Sequence, residues 1–123
     1  MVLVTSNKRQ RLLYMNYLQR VTPAELVAAR EELVQALSEL PANFRLLADL
    51  SQLEFMDPDS TPEVGRTMDL ISQHGVGLIV RVIPDTSKDI GLNILTIFHY
   101  PNQPRIITCG NLPDALKQLA VWQ

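Results

Sequence analysis

The sequence predicts an α/β protein: a mixed, mostly parallel β-sheet packed with about four α-helices in a layered fold. Three observations carry that expectation. Segments with the alternating or continuously apolar pattern of strands take turns with segments whose apolar residues recur every three or four positions. Pro and Gly punctuate the junctions between them. Two strand-like segments stand together at the start, adding an antiparallel edge to a sheet otherwise joined by helical crossovers. The expected order is β-β-α-β-α-β-α-β-α.

Residues 2–5 are short and β-branched, and residues 11–21 (RLLYMNYLQRV) form a longer, partly alternating strand. Lys8, Arg9 and Arg11 lie between or at the edge of them, a basic cluster best read as a solvated hairpin turn, with a phosphate-binding patch as the alternative. Thr22-Pro23-Ala24-Glu25 opens the first helix. Thr22 can accept from a free first-turn amide, Pro23 has no N–H to leave orphaned, and Glu25 completes a capping box. Leu26, Leu33, Leu37 and Leu40, with Val27 and Val34, are expected to form its inward stripe until Pro41 ends it.

Residues 44–50 (FRLLADL) read as a central strand, followed by a turn rich in Pro and Asp. The second helix starts near Thr61 or Pro62, with Ser60 and Glu63 spaced for another capping box. Val64, Met68 and Ile71 face inward, His74 suits the negative end of the helix dipole, and Gly75 suits the stop. Residues 76–83 form a buried strand and 89–98 a mostly apolar helix. Residues 105–108 add a short strand, and Asn111 caps a final helix carrying Leu112, Ala115, Leu116 and Leu119.

Composition bounds the function. A chain of 123 residues, 46% hydrophobic and 20% charged, fits one globular domain spanning 1–123. A net charge of −2 offers no broad attraction to nucleic acid or an anionic membrane. No apolar run approaches the roughly 20 residues a membrane span needs. The single cysteine, Cys109, allows no internal disulfide and no cysteine-based zinc site, so the expected setting is cytoplasmic. His74 and His99 fall on different elements without partners at ligand spacing, so no metal is expected. Neither GxGxxG nor GxxxxGK[ST] occurs, and no cofactor is expected. Cys109 has only His99 as a conceivable base and reads as a small residue at a strand end. The chain is expected not to be an enzyme.

The richest segment is Phe55-Met56-Asp57-Pro58-Asp59-Ser60-Thr61-Pro62-Glu63, between a central strand and a helix N-terminus. Open α/β sheets place binding sites at such carboxyl ends. Asp57, Asp59, Ser60, Thr61 and Glu63 are therefore the candidate partner-binding residues, with Ser60 and Thr61 the candidate phosphorylation sites. The plainer reading makes them a helix cap and an acidic turn.

Around this segment the chain resembles a STAS domain, the sulfate-transporter and anti-sigma-factor-antagonist fold. Leu46-Leu47-Ala48-Asp49-Leu50-Ser51 and then Phe55-Met56-Asp57 are similar to that family's apolar strand, D-L-S step and F-M-D-S-S-G loop. The helix closing at His74-Gly75 follows, as do Val82-Ile83-Pro84, a helix through Phe98, a short strand and Asp114-Ala115-Leu116. The likeness implies a bacterial signalling protein that binds an anti-sigma-type kinase or another regulator. The family's phosphoacceptor is the second residue after the motif aspartate. Here that residue is Asp59, preceded by Pro58, and Ser60 replaces the motif glycine. The acceptor serine is thus expected to be lost or displaced to Ser60 or Thr61, with Asp59 a permanent, partial substitute for phosphate.

A second expectation starts from the apolar 89–98 helix. Some relatives of the fold resemble lipid carriers, so Leu92, Leu95 and Phe98 could line a crevice for a small apolar ligand. Burial of the helix on both sides, against the sheet and in a homodimer, is the alternative.

Overall fold

β1 (Val2–Asn7) and β2 (Leu12–Tyr17) form an antiparallel pair in register from Val2 opposite Tyr17 to Asn7 opposite Leu12. The turn between them places Arg11 at φ 52°, and Asn7 Oδ1 accepts from the Gln10 amide at 3.1 Å. β2 then runs parallel to β4 (Arg45–Asp49), β4 to β6 (Leu78–Val82), and β6 to β7 (Arg105–Cys109). The sheet order is β1-β2-β4-β6-β7. This computed structural model describes residues 1–83 and 104–121. The helix expected over 89–98, with Leu92, Leu95, Phe98 and His99, lies outside the described residues.

One expected strand is two. Residues 11–21 break after β2: Gln19 takes φ 56°, and β3 (Gln19–Val21) leaves the main sheet to pair in parallel with β5 (Leu53–Met56). β5 falls where an irregular turn was expected. Both strands are too short to show a period, and each is stabilised by a partner more than thirty positions away.

α1 (Pro23–Ser38), α2 (Thr61–Gln73) and α3 (Leu112–Val121) are the helices among the described residues. The Thr22 cap forms as expected, its Oγ1 accepting from the Glu25 amide at 3.3 Å. Leu26, Ala29, Leu33, Ala36 and Leu37 of α1 are buried, with Leu40 just beyond, but Val27 and Val34 are 49% and 52% exposed. Both were expected inside. Each sits one position from the buried stripe, a turn of about 100° around the helix axis.

α2 buries Val64, Met68 and Ile71 as expected. It stops at Gly75, whose φ of 90° disfavours any side chain. A Cβ there would stand 3.2 Å from that of Ala42, while the Gly75 carbonyl accepts from the Asn43 amide at 2.6 Å. His74 Nε2–H donates to the Leu40 carbonyl at 2.9 Å, and its ring meets Phe44 edge-on at 5.8 Å. The Asn111 cap also forms, Oδ1 accepting from the Asp114 amide at 2.9 Å. Ala115 and Leu119 are buried below it, whereas Leu116, on the same helix, is 51% exposed. The helix is short and only one of its faces meets the sheet.

Two apolar layers flank the sheet. Leu13, Met15, Leu46 and Ile79 pack with the buried faces of α1 and α2. Leu47, Leu78, Val80 and Val82 pack with α3 on the other side. β6 is therefore buried on both faces, which is why its sequence is continuously apolar except for Arg81. Arg81 Nη2 donates to Thr108 Oγ1 at 2.8 Å on the neighbouring strand.

Candidate functional site

At its carboxyl end β4 turns on Asp49, which is buried; its carboxylate accepts from the Ser51 amide at 2.9 Å and from the Tyr14 hydroxyl at 3.2 Å. Burial, then the Asp49 charge and hydrogen bond, hold the Tyr14 phenol above its ordinary pKa. The chain next runs out along β5 beside β3 and delivers Asp57, whose amide donates to the Val21 carbonyl at 3.0 Å. A short 3-10 turn, Pro58–Ser60, carries it straight into α2.

Arg20 of β3 clamps this corner. Its Nε and Nη2 both donate to Asp57 Oδ1, at 3.1 and 3.0 Å, and its guanidinium lies 5.7 Å from the centre of the Phe55 ring. Phe55 is 51% exposed. Below it, the Glu63 carboxylate bridges Arg30 of α1 and Arg66 of α2. The Arg30 hydrogen bond, with both arginine charges, holds Glu63 below the usual carboxylate range despite some desolvation.

The five expected contact residues thus divide by environment. Asp59 and Thr61 are exposed, and the Thr61 hydroxyl donates to the Pro58 carbonyl at 3.1 Å. Asp57 is 23% exposed and engaged by Arg20, and Glu63 is occupied by two arginines, so neither carboxylate is at liberty. Ser60 is enclosed, with 0% exposure and no hydrogen-bond partner for its Oγ. A serine expected at the surface and as a helix cap is instead a core residue. The 3-10 turn places it in helical backbone, φ −74° and ψ −17°, where its hydroxyl does not reach the first-turn amides. The capping box with Glu63 is accordingly absent.

Two members of the corner were not anticipated as such. The sequence shows Phe55 only as part of a motif, and Arg20 only as an interior position of one long strand. A lone aromatic between charged residues in a loop-like stretch is the signal that marks Phe55. No local signal reaches Arg20, because its partners are more than thirty residues away.

Elsewhere, burial and the charge of Asp114 raise the pKa of the Cys109 thiol, which opposes the nucleophilic thiolate form. Among the described residues no group of three or more His, Cys, Asp or Glu side chains could hold a metal ion. Among them, too, no helix is long and apolar enough to cross a membrane. Between the sheet and α2 lies an apolar cavity of about 40 Å³ bordered by Met15, Met56 and Met68. That is well below the ~150 Å³ that accepts a benzene-sized guest.

This arrangement of sheet and helices recurs in solved structures. An uncharacterized Shewanella loihica PV-4 protein described as having a SpoIIAA-like fold superposes with a TM-score of 0.70 at 12% identity, over 97% of this chain and 92% of the other. The unphosphorylated anti-sigma factor antagonist SpoIIAA matches with a TM-score of 0.61 at 13% identity, over 99% of this chain and 100% of the other. The chain has a SpoIIAA-like, STAS-like fold. An anti-sigma factor antagonist from Mycobacterium paratuberculosis matches at 0.59 with 16% identity, covering 98% and 93% of the two chains. No protein-family model matches the sequence, and no curated protein matches it significantly. Identities this low establish the SpoIIAA-like fold and leave function to the residues of the site. Within that fold, the 57–61 loop occupies the carboxyl end of the sheet, where α/β proteins commonly bind.

Proposed function

We propose that this chain is a non-catalytic, cytoplasmic regulatory module of bacteria, one STAS-like unit over residues 1–123, that acts by binding a protein partner. The observation that carries this reading is Phe55, half exposed and held over Arg20, beside the exposed Asp59 and Thr61. A rigid aromatic next to polar groups is the composition of an interaction hot spot. The Arg20–Asp57 pair fixes the loop, so little ordering entropy is spent on binding. The partner is an anti-sigma-type kinase or a related regulator, in keeping with the anti-sigma factor antagonists that share the fold.

Asp59 supplies a standing negative charge at this surface, weaker than a phosphate's. SpoIIAA itself has been solved in unphosphorylated and phosphorylated forms. In this chain Thr61 is the better acceptor, since Ser60 would have to leave the interior. A phosphate on Thr61 would sit at the N-terminus of α2, where the dipole and unpaired amides favour it.

Affinity capture from the native host, comparing wild type with Phe55→Ala and Asp59→Ala, identifies the partner. Titration calorimetry on the purified pair should then show each variant binding at least about tenfold more weakly. Incubation of the pair with ATP should label Thr61, and Thr61→Val should abolish the label. Equal affinity of wild type and both variants would overturn the assignment of this surface.

A further inference from the structure

The opposite end of the sheet carries a second feature, independent of the proposed partner surface. The β1–β2 turn brings Arg9 and Arg11 to the start of β4, where the Arg45 amide donates to the Arg11 carbonyl at 2.8 Å. Arg45 is fixed in place: Nη1 donates to the Leu119 carbonyl at 2.7 Å and Nη2 to the Gln10 carbonyl at 2.6 Å. These three arginines border an open cleft of about 510 Å³, whose other wall is formed by Leu12, Leu116 and Ala120. Small-molecule sites commonly measure roughly 300–1,000 Å³.

The charges there are uncompensated. Among the described residues Arg20, Arg30 and Arg66 each have a carboxylate partner, whereas Arg9, Arg11 and Arg45 have none within ion-pair distance. Burial, and secondarily the neighbouring Arg11, lower the proton affinity of Arg45, as expected for like charges held together. Arg45 also satisfies a carbonyl near the negative end of α3, which offsets the helix dipole on that side of the cleft. A dianion would relieve this repulsion, and guanidinium forks match phosphate oxygens in pairs. The exposed Leu116 side chain offers apolar contact to whatever the phosphate is attached to.

We propose that the cleft between the β1–β2 turn, the start of β4 and α3 binds a phosphate ester carrying an apolar body. Helix anchoring by Arg45 alone would not require Arg9 and Arg11, so the test turns on those two.

Calorimetry on the full chain would compare phenyl phosphate with inorganic phosphate, and co-sedimentation would compare phosphatidic acid vesicles with phosphatidylcholine vesicles. Phenyl phosphate should bind at least about tenfold more tightly than inorganic phosphate. The R9A/R11A double variant should lose at least about tenfold in affinity with an unchanged thermal midpoint. Leu116→Asp should remove the preference for the phenyl ester. Binding to phosphatidic acid vesicles alone, lost in the same variants, would place the phosphate on a lipid; binding of phenyl phosphate in solution places it on a soluble metabolite. Failure of both probes to bind, equal affinity for the two phosphates, or undiminished binding by the double arginine variant would overturn the site.

Discussion

Ser60 shows how much one side chain's surroundings decide. In the sequence it stands three positions before Glu63 at a helix start, a pattern that reads as a capping hydroxyl. In the structure its Oγ is enclosed and unpartnered, while Glu63 is drawn away by Arg30 and Arg66. A buried hydroxyl without a partner costs free energy that an apolar side chain of similar size does not. Ser60→Ala should therefore leave urea stability unchanged or raise it by up to about 1 kcal/mol. A loss of more than about 1 kcal/mol would show that the hydroxyl is bonded and return it to the candidate site. Thr22 and Asn111, by contrast, cap their helices as their positions foretold. Their partner amides lie three residues away, so the bond is local and visible in a short window of sequence.

The same distinction separates the elements that were foreseen from those that were not. α1 was legible from its cap, its leucine spacing and Pro41, and β6 from a continuous apolar run. What the pattern left undecided was the width of the α1 stripe, since Val27 and Val34 are as apolar as their buried neighbours. Substitution separates the two faces. Leu33→Ala should cost about 2–5 kcal/mol, because it opens a void in a packed layer. Val34→Ala should stay within about 0.5 kcal/mol in urea melts. Equal costs would mean that α1 is rotated relative to the sheet. β3 and β5 are illegible in the sequence for a different reason. Three and four residues carry almost no periodic signal, and each segment becomes a strand only when the other is beside it.

Across the whole molecule, burial couples the fold to pH through Tyr17. It is buried at the end of β2, and desolvation pushes its phenol up to about 12. The unfolded chain releases that proton near pH 10. The native state therefore holds a proton that the unfolded state has lost, and stability is full below pH 10 and falls as pH rises toward 12. The loss should amount to about 2–3 kcal/mol over that window. Tyr17→Phe should flatten the alkaline arm of a stability–pH profile; an unaltered arm would show that the phenol ionises in place or that other groups dominate.

The succession of the main-sheet strands with α1, α2 and α3, the mostly parallel sense of that sheet and the location of an acidic loop at its carboxyl end all followed from patterns within a few residues of one another, whereas β3 and β5 did not. The likeness of that loop to a STAS motif pointed to the SpoIIAA-like architecture found by superposition. Short-range patterns reveal such things because capping, turn chemistry and amphipathic spacing act over one or two turns of chain. The division of the loop into buried Ser60, paired Asp57 and Glu63, and exposed Asp59 and Thr61 arose elsewhere. So did the meeting of Arg9 and Arg11 with Arg45. Each depends on side chains brought together from distant positions, and burial and charge pairing are properties of neighbours in space that no stretch of chain carries alone.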